Sequence, residues 1–306
     1  MIEKREYSPC CSDNEQEENQ NVSQPFDPMN FGLFVFQPLK PRFKKSFFTM
    51  TFQKRLDILE ANIIDANLYL TKSLNKDSQF KSMFVGPEYL FKKHHQKGSK
   101  QYYSEKKKER YVNTLKELSN QTDMIIAPGT ICWNKINANG EAYFRNEIYF
   151  FYKGDIKKYK KTYPHPLDFS YVENKANFER DKKYFKTGSN NSPVVTLNGI
   201  SIGIEICLDN AYKHLDSKTC HKPYQVKSKK KEQPRIDVHL LVADGIKRPN
   251  LIGRSNLLFF KVERTSKYKT QIGTVCPTRK AKNQERIAVD EWSSVSLSKT
   301  LTYYKK

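Results

Sequence analysis

Residues 198–210 read Asn-Gly-Ile-Ser-Ile-Gly-Ile-Glu-Ile-Cys-Leu-Asp-Asn. The first two residues, Asn198 and Gly199, form a dipeptide that favours a two-residue hairpin turn. Isoleucine then alternates with small or polar residues up to residue 206, which predicts a strand. Cys207 ends this strand, and Asp209 and Asn210 are capping residues that predict a helix over residues 211–215. We therefore expect a hairpin that ends in a strand-to-helix corner at Cys207.

The position of Cys207 makes it a candidate nucleophile. Unpaired backbone N–H groups at the start of a helix favour a negative charge, and so favour a thiolate over a thiol. The alternative is a small buried apolar residue at the end of a strand, which is a common role of a free cysteine. This segment alone leaves both interpretations open.

Two further segments add a carboxylate and a lysine. Residues 84–88 read Phe-Val-Gly-Pro-Glu, which predicts an apolar strand that ends in Pro-Glu. Residues 159–162 read Tyr-Lys-Lys-Thr and follow a predicted antiparallel pair of strands over residues 143–152 and 156–159. Together with Cys207, the chain presents a glutamate, a lysine and a cysteine in that order.

These motifs resemble those of the carbon–nitrogen hydrolase (nitrilase) superfamily. Its members carry a Pro-Glu after an early strand, a Tyr-(Arg/Lys)-Lys-Thr in mid-chain and an Ile-Cys-x-(Asp/Glu) at the nucleophile. The resemblance covers residues 34–275, with supporting matches at Gln37, at Gly129-Thr130 and at Phe185 and Gly188. It implies an α/β fold, the four-layer αββα sandwich of the nitrilase type, for residues 29–306.

The resemblance also implies a Glu–Lys–Cys triad made of Glu88, Lys161 and Cys207. Cys207 would attack the substrate carbon, and Glu88 would act as general base and then as general acid. Lys161, which precedes Thr162 as in the family motif, would stabilise the oxyanion together with the backbone N–H of Leu208.

Several residues depart from the family pattern. Many members carry a second glutamate shortly after the lysine, and here Asp168 and Glu173 are the candidates, neither at a matching spacing. Glu205 shares the strand phase of Cys207, so it is either an accessory carboxylate near the site or a structural one. The chain after Cys276 is short and polar, which leaves open the C-terminal segment that pairs subunits in the family.

Hydrophobic patterns predict further elements of a mixed sheet covered by helices. Helical spacing runs from Phe52 to Leu70, and Thr51 is the expected N-cap. Other predicted strands cover residues 31–36, 80–85, 124–127, 236–243 and 270–276, and further helices begin near residue 111 and cover residues 250–265.

The charge is strongly positive and unevenly distributed. The formal net charge is +21, although residues 1–28 are acidic, rich in Gln, Asn and Ser, and nearly free of aliphatic residues. Such a segment buries too little apolar surface to fold, so we predict a disordered acidic tail over residues 1–28. The basic remainder favours polyanions such as nucleic acid, anionic lipid or an acidic protein surface, unless its lysines simply form a solvated surface.

Two lysine-rich loops are predicted, over residues 92–110 and 227–235, directly after the segments of Glu88 and Cys207. We expect them near the mouth of the pocket, where they would bind an anionic substrate tail or an acidic partner. Tyr102 and Tyr103 lie beside the first group of lysines and also allow stacking on RNA bases.

The six cysteines show no disulfide framework, and the chain has no apolar run long enough for a signal or a membrane span. We expect a protein with free thiols, either cytoplasmic or exported without a hydrophobic signal. A metal cluster of Cys207, His214, Cys220 and His221 fits no common zinc spacing, and no Cys–His protease motif is present, so we expect neither metal nor cofactor.

Two functions therefore follow. The first is a thiol hydrolase of non-peptide C–N bonds, with a small amide or nitrile as substrate and an amidase as the preferred activity. The resemblance also implies a homodimer. The alternative is a basic binding protein on a nitrilase-like scaffold with weak or no catalysis, which engages nucleic acid, an anionic membrane or an acidic partner.

Overall fold

The computed structural model describes residues 26–38, 47–73, 80–94, 96, 98–166, 168, 183–188, 192–215, 236–252, 256–265, 267–278 and 286–306. In chain order the strands are β1 (Phe31–Phe36), β2 (Lys81–Val85), β3 (Tyr103–Ser104), β4 (Ile125–Ala127), β5 (Thr130–Ile136), β6 (Ala142–Tyr152), β7 (Asp155–Lys160), β8 (Lys183–Phe185), β9 (Val194–Leu197), β10 (Ile200–Ile206), β11 (Val238–Ala243), β12 (Leu258–Glu263), β13 (Gln271–Thr278), β14 (Arg286–Glu291), β15 (Ser293–Ser296) and β16 (Leu301–Lys305). The helices are α1 (Phe52–Ser73), α2 (Glu105–Asn120) and the four-residue α3 (Leu208–Ala211).

The described strands form two sheets. The first has the order β15-β16-β1-β2-β4-β6-β5-β3, with β7 and β8 also paired to β6, and the second has the order β14-β13-β12-β11-β10-β9. One hydrophobic core lies between the sheets and contains Phe31, Leu33 and Val35 of β1 with alternate isoleucines of β10. The intervening residues Phe34 and Phe36 belong to a second core under α1 and α2. The alternation of β1 thus places it between a sheet and a helical layer.

The helices on the outer face of the first sheet follow the predicted apolar spacing. In α1 the side chains of Leu56, Leu59 and Ile63 are fully buried, and the hydroxyl of Thr51 accepts the N–H of Lys54 at 3.4 Å. The predicted basic loop over residues 92–110 needs a correction, because α2 begins at Glu105 and includes the lysines at 106–108. These lysines continue a helical turn, since lysine is a good helix former and the apolar face begins at Tyr111.

The β9–β10 hairpin confirms the predicted turn. Asn198 and Gly199 have φ angles of 50° and 67°, the left-handed values that a tight turn of this type requires at both central residues. The bounds predicted for a helix over residues 211–215 are wrong, since α3 begins at Leu208 and ends at Ala211, and after a turn at residues 212–213 the chain is helical again at residues 214–215. Asp209 lies inside this helix, where its carboxylate binds backbone N–H groups of another segment rather than capping the helix.

The predicted helix over residues 250–265 is also wrong. Its C-terminal half forms β12, in which all six residues are buried, and β12 runs parallel to β11. A strand covered on both faces has a continuous apolar pattern, which periodicity cannot distinguish from a buried helix.

The C-terminal residues were not predicted to form strands, yet they join the two sheets. β14 pairs with β13 of the second sheet, and β16 pairs with β1 of the first. Trp292 lies between β14 and β15. Its ring packs on Phe260 at 5.6 Å between ring centroids, and its indole N–H donates to Thr274 Oγ1 at 3.1 Å. Residues 286–305 therefore contribute strands to both sheets.

The predicted acidic tail lies almost entirely outside the described residues and stays a prediction. Phe26 is described and packs on Phe31 with ring centroids 5.7 Å apart, and Asp27 caps the turn that leads into β1. No described helix combines the length and the hydrophobicity needed to cross a membrane.

Candidate active site

The three predicted triad residues all follow the ends of strands. Glu88 comes three residues after β2, Lys161 directly follows β7, and Cys207 directly follows β10. The side chains of Glu88 and Lys161 are fully buried, and Cys207 is 8% exposed. Functional groups in α/β folds often lie just after the ends of strands, because the strands position them rigidly and the loops leave them accessible to a ligand.

Lys161 is the centre of a buried ionic cluster. Its Nζ lies 2.8 Å from Glu88 Oε1 and 2.6 Å from Asp168 Oδ2. Both carboxylates are within 1% of complete burial, so the lysine neutralises charge that water does not reach. A buried cluster of this kind is costly to assemble, and it persists because each charge has partners.

Two residues that sequence reasoning missed hold this cluster in place. The side-chain amide of Asn146 donates to Glu88 Oε1 and to Asp168 Oδ1, each at 3.0 Å. The hydroxyl of Tyr89 donates to Asp168 Oδ1 at 2.7 Å. Asn146 lies in β6 with its side chain on the face opposite to Arg145, and only the alternation of that strand could have indicated this position.

The segment that carries Glu88 is fixed by the residues after β4. Tyr89 donates its backbone N–H to Thr130 Oγ1 at 2.8 Å, and Thr130 donates its own to the carbonyl of Pro87 at 3.2 Å. Gly129 has φ +88°, and a Cβ there would lie 2.4 Å from the carbonyl oxygen of Pro87. The Gly-Thr pair therefore serves the close approach of two backbone segments beside Glu88.

Cys207 occupies a strained corner between β10 and α3. Its φ of 48° is a left-handed value that a residue with a side chain rarely adopts. This turn places the side chain with the core between the sheets, and Sγ lies 3.9 Å from the carbonyl oxygen of Asp244 at the end of β11. Strain of this kind is frequent at functional residues that the surrounding structure holds firmly.

The protonation of the cluster differs between its two carboxylates. Burial raises the pKa of Glu88 to about 7, with the charge of Asp168 adding to the rise and Lys161 opposing it. Burial also acts to raise the pKa of Asp168, but Lys161 and the N–H of His165 lower it below its usual value. For Lys161, burial lowers the pKa, and the two carboxylates raise it more strongly. Asp168 therefore balances the lysine, and Glu88 exchanges its proton near neutral pH.

Burial opposes the thiolate that the strand-to-helix corner was expected to favour at Cys207. Burial, followed by the negative charge of Glu88, raises the pKa of the Cys207 thiol well above its ordinary value. The four residues of α3 provide too short a dipole to offset this desolvation. The thiol thus carries its proton at rest and needs a base to accept it.

Asp209 links the cysteine corner to the lysine segment. Its buried carboxylate accepts the N–H groups of Thr162 and Tyr163, at 3.1 and 2.7 Å, and the hydroxyl of Tyr159 at 2.8 Å. Burial raises its pKa to about 7, although these donors and Lys161 oppose the rise. The aspartate of the Cys-x-Asp motif therefore fixes the distance between Cys207 and Lys161.

Glu205 does not belong to the triad cluster. Its carboxylate accepts the side-chain amide of Asn210 at 2.5 Å, the N–H of Leu215 at 2.9 Å and the ring Nε2 of His239 at 2.9 Å. Leu215 belongs to the hydrophobic cluster on the outer face of the second sheet, so Glu205 and its partners lie on that face. In an ideal strand the side chains of Glu205 and Cys207 would lie on the same face. Here the positive φ of Cys207 turns its side chain to the opposite face, toward the core between the sheets.

The remaining predicted residues have mixed outcomes. Leu208 is the first residue of α3, so its N–H has no carbonyl of its own helix to bind. Tyr102 and Tyr103 are buried, so the predicted stacking of these rings on RNA bases is wrong. Glu173, Cys220, His221 and residues 227–235 lie outside the described residues. Within the described part, no group of three or more His, Cys, Asp or Glu side chains is arranged to hold a metal ion.

Comparison with known proteins adds the fold. No family model and no curated protein matches the chain. The solved carbon–nitrogen hydrolase from Helicobacter pylori G27 matches with a TM-score of 0.50 and 12% identity, over 90% of this chain and 88% of that chain. A variant of an amidase of the nitrilase superfamily from Nesterenkonia AN1 has a TM-score of 0.49 and 8% identity, over 91% of each chain.

The match to the Helicobacter pylori structure spans nearly the whole of both chains, although few residues are identical. It confirms the predicted α/β sandwich, with two face-to-face sheets and helices on the outside. The chain therefore has the fold of the carbon–nitrogen hydrolase (nitrilase) superfamily.

Proposed function

We propose that this protein is a thiol hydrolase of non-peptide C–N bonds and that small amides are its preferred substrates. The observation that carries the proposal is the buried Glu88–Lys161–Asp168 cluster beside the strained Cys207. An acid with a pKa near 7, a permanent cation and a thiol are the groups that this chemistry needs. The nitrilase-type fold and the order of the motifs support the same function.

Catalysis begins with proton transfer from the Cys207 thiol to Glu88. With a pKa of about 7, Glu88 is ionised in a large fraction of molecules at neutral pH and accepts the proton as sulfur attacks the amide carbon. The C–S bond forms and the carbonyl π pair moves to oxygen, which gives a tetrahedral oxyanion. Lys161 and the N–H of Leu208 stabilise that charge.

Collapse of the intermediate breaks the C–N bond. Glu88 returns its proton to the departing nitrogen, so ammonia or an amine leaves and a thioester remains on Cys207. Glu88 then takes a proton from water as the water oxygen attacks the thioester. Collapse of the second tetrahedral intermediate breaks the C–S bond and releases the carboxylic acid, and Glu88 returns the proton to sulfur, which restores the thiol. Asp168 supplies the accessory carboxylate in this scheme, because it keeps Lys161 charged and oriented throughout the cycle.

A substrate panel tests this proposal. Purified protein is incubated with short aliphatic and aromatic amides, the matching nitriles and N-carbamoyl compounds, and ammonia release is measured. We expect turnover of amides, lost by a factor of about 10⁴ or more in Cys207→Ala. Cys276→Ala serves as the matched control, since that thiol is partly exposed and lies in β13. Turnover that survives in Cys207→Ala would contradict the proposal.

Two partner assignments remain parts of the proposal. We expect a homodimer, as the resemblance implies, and light scattering on the purified protein checks it. We also propose that the lysines at the start of α2, of which Lys106 and Lys107 are exposed, attract an anionic substrate tail. Neutralising Lys106, Lys107 and Lys108 together should then raise KM in a salt-sensitive way.

A further inference from the structure

Among the described residues, α1 and α2 cover one part of the outer face of the first sheet. In β6 the side chains of Tyr149 and Phe151 lie in the core beneath α2, and Tyr111 of α2 packs on Tyr149 at 6.5 Å between ring centroids. The earlier residues Tyr143 and Arg145 have the same strand phase and therefore point to the same face. Tyr143 remains half-buried.

Two short strands meet end to end along one edge of β6. β7 pairs with residues 147–152 of β6, with Lys160 opposite Glu147, and β8 pairs with residues 142–144. The N–H of Lys186 continues this ladder by binding the carbonyl of Phe144 at 2.8 Å. The strand phases place Lys158, Lys160 and Lys186 on the same outer face, around Arg145.

Cations outnumber acids around these lysines, although Glu147 attracts Lys160. Arg145 pairs with the buried Glu147 at 3.2 Å, but none of the three lysines has an ion pair with an acid among the described residues. Burial and then the charges of Arg145, Lys158 and Lys186 lower the pKa of Lys160, against the opposite effect of Glu147, so these cations are close enough to repel one another. Repelling cations held at one place on a rigid sheet favour a polyanionic ligand.

Aromatic rings lie between the cations. The ring of Tyr143 lies 4.9 Å from the Nζ of Lys186, 5.5 Å from the guanidinium carbon of Arg145 and 6.1 Å from the ring of Tyr184. Tyr184 is half-buried like Tyr143. Single-strand nucleic-acid sites combine two components: cations that contact the phosphate backbone, and aromatic rings on which bases stack.

We propose that Tyr143, Lys158, Lys160, Tyr184 and Lys186, arranged around the buried Arg145, form a cationic–aromatic patch that binds single-stranded nucleic acid. The lysines contact phosphates, and the two tyrosines stack on bases, without base-specific recognition. The patch contains no aliphatic side chain that would insert into a membrane, which favours nucleic acid over a lipid surface. It lies on the face opposite to the side chains of Asn146 and Tyr159, so it is independent of the proposed catalysis.

Fluorescence polarisation with labelled single-stranded RNA and DNA of about 12 nucleotides tests the proposal. The triple variant Lys158→Gln, Lys160→Gln and Lys186→Gln should weaken binding at least about tenfold and reduce the salt slope by about 2. The control removes the same charge from exposed helical positions, through Lys54→Gln, Lys72→Gln and Lys116→Gln, and should bind like the wild type. Equal losses in both triple variants would overturn the proposal, because the effect would then be one of net charge.

Two further arms separate nucleic acid from other polyanions. Tyr143→Ala with Tyr184→Ala should weaken oligonucleotide binding about tenfold and leave binding to heparin unchanged, whereas Tyr143→Phe should bind like the wild type. Equal binding of the tyrosine double variant and the wild type would contradict base stacking. Tighter binding to vesicles of anionic phospholipid than to either oligonucleotide would assign the patch to a membrane and overturn the proposal. Unchanged thermal unfolding of each variant ensures that a loss of binding is not a loss of fold.

Discussion

Two buried polar clusters flank the strand that ends at Cys207, and they differ in what they can do. Glu88, Lys161 and Asp168 lie with the thiol, while Glu205, Asn210 and His239 lie toward the outer core of the second sheet. Each cluster pairs a buried carboxylate with a nitrogen base at less than 3 Å. Burial and pairing alone therefore do not mark a catalytic carboxylate.

The two glutamates differ in the number of partners that compete for each charge. Glu88 shares a single lysine with Asp168, so burial and that second carboxylate raise its pKa to about 7. Burial also acts on Glu205, but donors from His239, Asn210 and Leu215 lower its pKa below the ordinary value. We infer that Glu88 exchanges protons at neutral pH, whereas Glu205 is a permanently ionised structural anchor.

The largest expected effect comes from removing the cation of the first cluster. Lys161→Met leaves the carboxylates of Glu88 and Asp168 buried without their counter-ion, and we expect a loss of about 3–5 kcal/mol in the free energy of unfolding at neutral pH. Urea denaturation measures this loss. It should shrink as the pH falls, because the two carboxylates then bind protons more readily in the folded state than in the unfolded state.

Lys160→Met is the matched control, since the neighbouring side chain is partly exposed and has no ion pair with an acid among the described residues. We expect it to change stability by less than about 0.5 kcal/mol. Similar losses for both variants would show that the cluster around Lys161 does not carry the stability assigned to it.

A smaller effect is expected in the second cluster. Glu205→Gln replaces an acceptor of three hydrogen bonds by an amide, so we expect a loss of about 1–3 kcal/mol in stability with kcat/KM for amides retained. Because the folded-state pKa of Glu205 is lowered, this difference is present at neutral pH and shrinks below about pH 4. A large fall in kcat/KM would instead give Glu205 a role in the proposed catalysis.

The smallest effect is a shift in a pH profile. Asp168→Asn removes the charge that helps to raise the pKa of Glu88, so the acidic limb of kcat/KM should move to lower pH. In the wild type the limb should lie near pH 7, with activity rising as Glu88 loses its proton. An unmoved limb in Asp168→Asn would mean that Glu88 is not the base whose ionisation limits the rate.

A local turn signal allowed the prediction of the β9–β10 hairpin. Three ordered motifs assigned Glu88, Lys161 and Cys207 to one predicted site, and Glu88 and Lys161 lie 2.8 Å apart in the structure. Asp168 could be named only as a candidate, because its ion pair with Lys161 depends on the conformation of the intervening loop. In that loop the N–H of His165 donates to the carboxylate of Asp168. The face of Glu205 was ambiguous because one positive φ at Cys207 reverses the side-chain order. The β12 strand was missed because burial on both faces removes alternation.

The measurement that tests the central claim most directly is the reactivity of Cys207 in the folded protein. A limiting amount of iodoacetamide is added, and mass spectrometry locates the modified cysteine in the wild type, in Glu88→Gln and in Glu205→Gln. We predict that Cys207 reacts ahead of the other cysteines in the wild type and in Glu205→Gln, and that it loses this lead in Glu88→Gln. A Cys207 that reacts no faster than Cys276 in the wild type, or equally fast in Glu88→Gln, would contradict proton transfer from the thiol to Glu88.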